Sequence, residues 1–423
     1  MQPKIRCITV AVAVAMQVAC GGGTTTGAGG GSGGGGGAGG GGGAGGGSVA
    51  DGGILKPFSP PSATAVNNAL LFTISGESSA LEGIAFPPAA GGGVYFVDGW
   101  QIVFTQALAT VDKVTVSEDP DKSATDQSQT GPLVAQADGP WAIDMVKGGP
   151  LDSKELNGKT VPLVRITNQN KKAGTPAFDA TKKYAFGFDT IPATLSAQNI
   201  NLDAAAQTAY KKMVDNGQTI LLAGTATWKG TAGTPACRST NAVYDFGRFP
   251  KVVNFSFGYK SPTTYKNCIN PELTGTDARG IQTKTGSEVL AQVTMHLDHP
   301  FWDALEEDAP LRWDAIAALK SVASGMGPAT ATVTEADVKA IDFQAFKDAQ
   351  GMAVPIRYCG PTATGEATTG TLKYDPKTVP VNPAGGAAGL KDLYDYMVYN
   401  LSTFGHLNND GLCFPARNYP SPQ

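Results

Sequence analysis

Through the first two thirds of the chain the apolar residues fall in short, strand-like runs, and beyond residue 300 they recur at helical spacing. Trp100, Ile102 and Phe104 share one face of an extended segment, and residues 111–116 give a second strand. Residues 141–146, 161–167, 184–189, 219–227 and 251–259 read as further short strands, with Gly, Pro and Asn between them. One helix interrupts the series at 201–214, closed by Asn216-Gly217. Many short strands separated by turn signals predict two packed sheets rather than alternating β-α units.

After residue 300 three helical stripes are legible. Leu311, Ala315, Leu319 and Val322 line one, behind Pro310. Thr334-Glu-Ala-Asp337 resembles a capping box and predicts a helix running to Phe346. Leu390, Leu393, Met397 and Leu401 mark the third, with Gly405 as its terminator. The expected fold class is therefore mainly β with added helices (α+β): a disulfide-stabilised antiparallel β-sandwich with helical elements after about residue 300.

Between the two textures lies Ala291-Gln-Val-Thr-Met-His-Leu-Asp-His-Pro-Phe-Trp302, a buried strand running into a turn. The chain has only 3 histidines in 423 residues. His296 and His299 stand here, and His406 follows the last helical stripe. Strand alternation places Thr294, His296 and Asp298 on one face, while Pro300 lacks an amide donor and ends the strand. If the chain after that helix folds back, all three imidazoles share one point with Asp298 as a nearby carboxylate. Imidazole with carboxylate suits zinc or copper, and the Irving–Williams order favours copper. A plainer reading stands beside it. Asp298 or His299 caps the turn at Pro300, and His406 answers the negative end of a helix dipole.

Other chemistry finds less support. No Gly-x-Ser-x-Gly elbow occurs, Gly91-Gly-Gly93 lacks the Lys-Ser/Thr of a phosphate loop, and no carboxylate pair marks a glycosidase. The acidic stretch 118–128 lacks the spacing of a calcium loop and reads as solvated. Asn408-Asn-Asp-Gly411 reads as a tight turn. Charged residues make up 16% with a net charge of −4, so no basic face for nucleic acid is present.

The N-terminus carries a targeting signal. Lys4 and Arg6 precede an apolar run over residues 8–18 that is too short to span a bilayer. Its Val18-Ala19-Cys20 ending resembles the lipobox of bacterial lipoproteins, with Gln17 where the family usually has leucine. That resemblance covers about the first twenty residues. It implies that residues 1–19 are a signal peptide and that Cys20 becomes a diacylated N-terminus. Residues 20–48 then form a glycine-rich tether, which buries too little apolar surface to fold. As a flexible coil it spans roughly 30 Å. The folded part is expected from residue 49 to residue 423, held to the outer membrane or cell surface by its lipid.

Export also bears on the cysteines. Of 6, Cys7 leaves with the signal and Cys20 takes lipid, so Cys237, Cys268, Cys359 and Cys413 remain. An even number in an exported chain predicts disulfides, and no Cys-x-x-Cys suggests zinc. Four cysteines allow three pairings. Cys237–Cys268 and Cys359–Cys413 are favoured here, since each would bracket one compact unit. The expected function is non-catalytic binding, of copper or zinc through His296, His299 and His406. The alternatives are a secreted metal-dependent enzyme using the same histidines and a structural or adhesive envelope protein.

Overall fold

Leu108 sits in the stretch where the alternating pattern of the first strand breaks, between Ala107 and Ala109, and all three side chains are buried. In the computed structural model this is the middle of one continuous strand, Trp100–Ser117, not the gap between two. Ala107 and Ala109 face the main core, whereas Leu108 packs under Tyr210 and Met213 of the helix Ala204–Asn216. A strand covered on both faces loses its two-residue period without ending. The structure describes residues 54–89, 93–154, 158–230, 237–275, 278–305, 309–360, 366–376 and 390–420. The signal segment, Cys20 and the glycine tether lie outside these.

Strand makes up 35% of the described residues and helix 14%, so the fold is mostly β. Trp100–Ser117 is central to a 12-stranded sheet. It pairs antiparallel with Ile220–Trp228 and, further along the same edge, Lys183–Thr190, and with Trp141–Asp144 along the other. Ile220–Trp228 in turn pairs with Val252–Tyr259, so the strands expected near 219–227 and 251–259 are neighbours. The helix Ala204–Asn216, just before Ile220–Trp228, is capped as its sequence requires. Asp203 accepts a hydrogen bond from Ala206 N, and Gly217 closes the end at φ +65°, where glycine escapes the Cβ clash.

A second sheet of six strands carries the histidines. Its order is Gly411–Leu412, Gly405–Leu407, Val289–Met295, Leu70–Ser75, Lys159–Ile166 and Leu151–Asp152. The pairing is mixed rather than wholly antiparallel, because Val289–Met295 runs parallel to Leu70–Ser75. All six side chains of Leu70–Ser75 are buried, as expected for a strand inside a sheet covered on both faces.

The disulfides are Cys237–Cys359 and Cys268–Cys413, correcting the expected pairing. Strand pairing between distant segments decides them, not proximity along the chain. Arg238–Ser239 pairs with Arg357–Tyr358 in register Arg238↔Tyr358, which sets Cys237 opposite Cys359. Thr263–Lys266 pairs with Phe414–Arg417 in register Lys266↔Phe414, which brings Cys268 to Cys413. The two bonds span 122 and 145 residues, and each contributes on the order of 2–4 kcal/mol.

The helices after residue 300 are shorter than their stripes suggest. The first is Asp314–Ala317, continued by a 3₁₀ turn at Ala318–Lys320. The capping box of Thr334 and Asp337 forms as read, yet its helix covers only Glu335–Val338. The third is Leu393–Leu401, and Gly405 does not terminate it. Gly405 opens the next strand, where a Cβ would stand 2.7 Å from the Tyr265 ring and 2.8 Å from the Phe188 ring. Among the described residues no helix is long and apolar enough to cross a membrane.

Candidate metal centre

Two registers assemble the site. In the antiparallel pair between Val289–Met295 and Gly405–Leu407, Thr294 stands opposite His406. His296 N donates to Phe404 O at 2.9 Å, which carries the pairing one residue further. His296 thus becomes the diagonal neighbour of His406 on the same face, within reach of large side chains. Their rings stack with centroids 3.9 Å apart and planes at 22°. The chain then turns through Asp298 into the 3₁₀ turn His299–Phe301, with Pro300 at its start. That turn swings His299 back, its ring 5.4 Å from His296 and 5.3 Å from His406. All three histidines of the protein meet, and one nitrogen from each lies within 4.8 Å of the others.

The sequence placed His406 in a loop, but it occupies a short strand instead. The tight turn expected at 408–411 is present. Asn408 and Asn409 take positive φ (50° and 78°), a region open to asparagine, and reverse the chain between Gly405–Leu407 and Gly411–Leu412. Asp298, expected as a fourth ligand, lies near His296 but joins neither group of possible ligands. Its Oδ2 accepts from Trp302 Nε1 at 3.1 Å, and its side chain does not cap the turn.

Glu77 is a residue that sequence reasoning missed. In the parallel pair between Leu70–Ser75 and Val289–Met295, Ser75 stands opposite Thr294, so Glu77 comes level with His296. Its Oε1 lies 2.8 Å from His296 Nε2, which also donates to Asn409 O at 2.9 Å. Glu77 holds φ at +63°, unusual for a residue with a Cβ. The available signal was the buried run Leu-Leu-Phe-Thr-Ile-Ser at 70–75, but nothing local ties it to a strand more than two hundred residues away. Glu77 and His296 form a second group of possible ligands with Asp410, which is exposed.

The electrostatics separate the three rings. Burial and the neighbouring imidazoles hold His406 and His299 well below the usual histidine range, so both are neutral. Burial acts the same way on His296, but the Glu77 carboxylate against it outweighs that and lifts it to about 10. Thr403 Oγ1 donates to Asn400 O at 2.8 Å, so it accepts from His299 Nδ1 at 2.9 Å. This fixes the proton of His299 on Nδ1 and leaves Nε2 with its lone pair free for a ligand. Metal-binding histidines are commonly oriented in this way.

Among the described residues, His299 Nε2 and both ring nitrogens of His406 meet no partner at hydrogen-bonding geometry, although the backbone of Asp410 and Thr403 lies near His406. Each buried, unsatisfied polar atom costs about 1–3 kcal/mol. A cation coordinated by one nitrogen of each ring removes that cost at the coordinating atoms. No family model, curated protein or solved structure matches this chain.

What the arrangement can do therefore follows from its own geometry. His299 and His406 are fully buried, and the His296 side chain keeps only 13% exposure. A polar groove of about 810 Å³, lined by Lys154, Glu272 and Asn408 among others, includes none of the three histidines. His299 and His406 are neutral imidazoles and His296 becomes one on giving up its proton to an ion, a donor set that fits zinc and copper better than calcium or magnesium.

Proposed function

We propose that this chain is a lipid-anchored protein of the bacterial cell envelope that binds one transition-metal ion, zinc or copper, through His296, His299 and His406. The role is binding rather than turnover. One observation carries it: buried imidazole nitrogens without partners stand within ligand reach of a third imidazole. A catalytic metal keeps an open position that a reactant can approach, whereas these rings are enclosed. Anchoring is supported by the sequence around Cys20 and the tether after it. For the architecture we favour a sandwich with helices added after residue 300. Phe72 of the six-stranded sheet stacks on Phe186 of the larger sheet at 5.5 Å, and both belong to one core.

Elemental analysis of the purified full chain tests the reading. About one zinc or copper per chain, lost in His406→Ala, is the expected result. A wild-type chain that carries no ion after dialysis against micromolar zinc or copper contradicts it.

A further inference from the structure

The inner set of three imidazoles has no exposed member besides the edge of His296, so an ion needs a route to it. The second ligand group supplies a stepwise one. It shares His296 with the inner set and grades outward from half-buried Glu77 to exposed Asp410. We propose that Glu77, His296 and Asp410 form an outer station that captures a divalent zinc or copper ion from solution and passes it, through His296, to His299 and His406. This inference rests on the metal-binding reading above.

Three observations support it. His296 turns its Nε2 outward to Glu77 at 2.8 Å while its ring lies flat on His406 at 3.9 Å, so one side chain touches both sets. Glu77 is held there by backbone at φ +63° and by its amide, which donates to Ser75 Oγ at 3.2 Å. The third is independent of the carboxylates. His406 is fully buried, and neither of its ring nitrogens meets a partner at hydrogen-bonding geometry among the described residues. The transfer is ligand exchange without redox. On capture His296 releases a ring proton to solvent and becomes a ligand. Two carboxylate oxygens then leave the ion as two imidazole nitrogens arrive, with His296 remaining a ligand. Hard oxygen donors exchange quickly, whereas imidazoles hold zinc and copper more tightly. The gradient of donor type therefore runs inward.

Trp302 supplies the readout, because its ring lies 3.8 Å from that of His299 and bound copper quenches a neighbouring indole. The experiment mixes the metal-stripped full chain, in detergent, with cupric ion and follows tryptophan fluorescence by stopped flow. Trp302→Phe identifies the reporting indole. The double variant Glu77→Gln/Asp410→Asn should fill at least tenfold more slowly, yet still reach one ion per chain. Asp152→Asn/Asp215→Asn removes the same charge elsewhere on the surface and should stay within twofold of wild type. Filling of the Glu77/Asp410 variant at the wild-type rate overturns the outer station while leaving the inner site intact. Loss of its final occupancy also overturns it, because the carboxylates would then belong to the resting site. A wild-type chain that takes up no copper overturns this inference together with the metal reading.

Discussion

Ser75 and Thr294 stand opposite each other across a parallel pair of strands, and Thr294 stands opposite His406 on its other side. That row of three sets the candidate site. Two residues beyond it, Glu77 meets His296, and His296 lies diagonal to His406. A one-residue slip in either register would turn the side chains to the other face of the sheet. The site is thus a property of strand register, with Pro300 and the turn at His299 completing it.

Thr403 has no contact with an ion in this arrangement, but its hydroxyl orients His299. Thr403→Val keeps the shape and removes the acceptor for His299 Nδ1–H. Metal affinity should fall about 10–100-fold, the usual effect of losing such a partner. Competition titration against a chelator of known affinity checks it, and unchanged affinity would mean that the ring is oriented by packing alone.

The disulfides make a separate test. Denatured without reductant, the chain should show no free thiol, and peptide mapping should recover the links Cys237–Cys359 and Cys268–Cys413. Cys237→Ser should expose one thiol, at Cys359, and leave the other bond intact. Recovery of a peptide linking Cys237 to Cys268 would contradict the strand pairings that set these bonds.

Asp98 makes one contribution to the pH dependence of stability. It is fully buried, and its Oδ2 accepts from the backbone of Trp313 and Asp314, both at 2.7 Å. Burial, reinforced by the Asp314 carboxylate, lifts its pKa to about 7. Between the ordinary carboxylate value near 4 and about 7, the folded chain keeps a proton that the unfolded chain has lost. Asp98 therefore makes stability fall as pH rises through that window and hold level above it. Asp98→Asn stays neutral and still accepts both amides. It should melt close to wild type near pH 4 and several degrees above it at pH 8. A variant less stable than wild type at pH 8 would show that the charge is accommodated.

Anchoring predicts that Cys20→Ser abolishes fatty-acid labelling and partitioning into detergent, while the histidine site still binds. Undiminished labelling would exclude Cys20 as the anchor.

The parts of the fold legible in sequence are those governed by neighbours along the chain. Asp203 and Gly217 bound their helix, Thr334 and Asp337 form their capping box, and Asn408-Asn409 turns the chain as its residue types imply. The scarcity of histidine made the convergence of His296, His299 and His406 an inference worth making. What stayed hidden depends on pairing over long separations. Glu77 reaches His296 through a parallel register, and both disulfides through antiparallel ones. The stripes after residue 300 overstate helix length, because apolar residues at that spacing also suit short turns laid against a core. Ala315 to Ala318 are all buried in that manner.

The most direct test of the central claim is a zinc titration of the metal-stripped full chain beside His406→Ala, followed by calorimetry at fixed pH and ionic strength. The expected result is one saturable ion per wild-type chain and at least a hundredfold weaker binding in the variant. Wild-type binding no tighter than that of His406→Ala would show that the three imidazoles are a packed histidine cluster and not a metal centre.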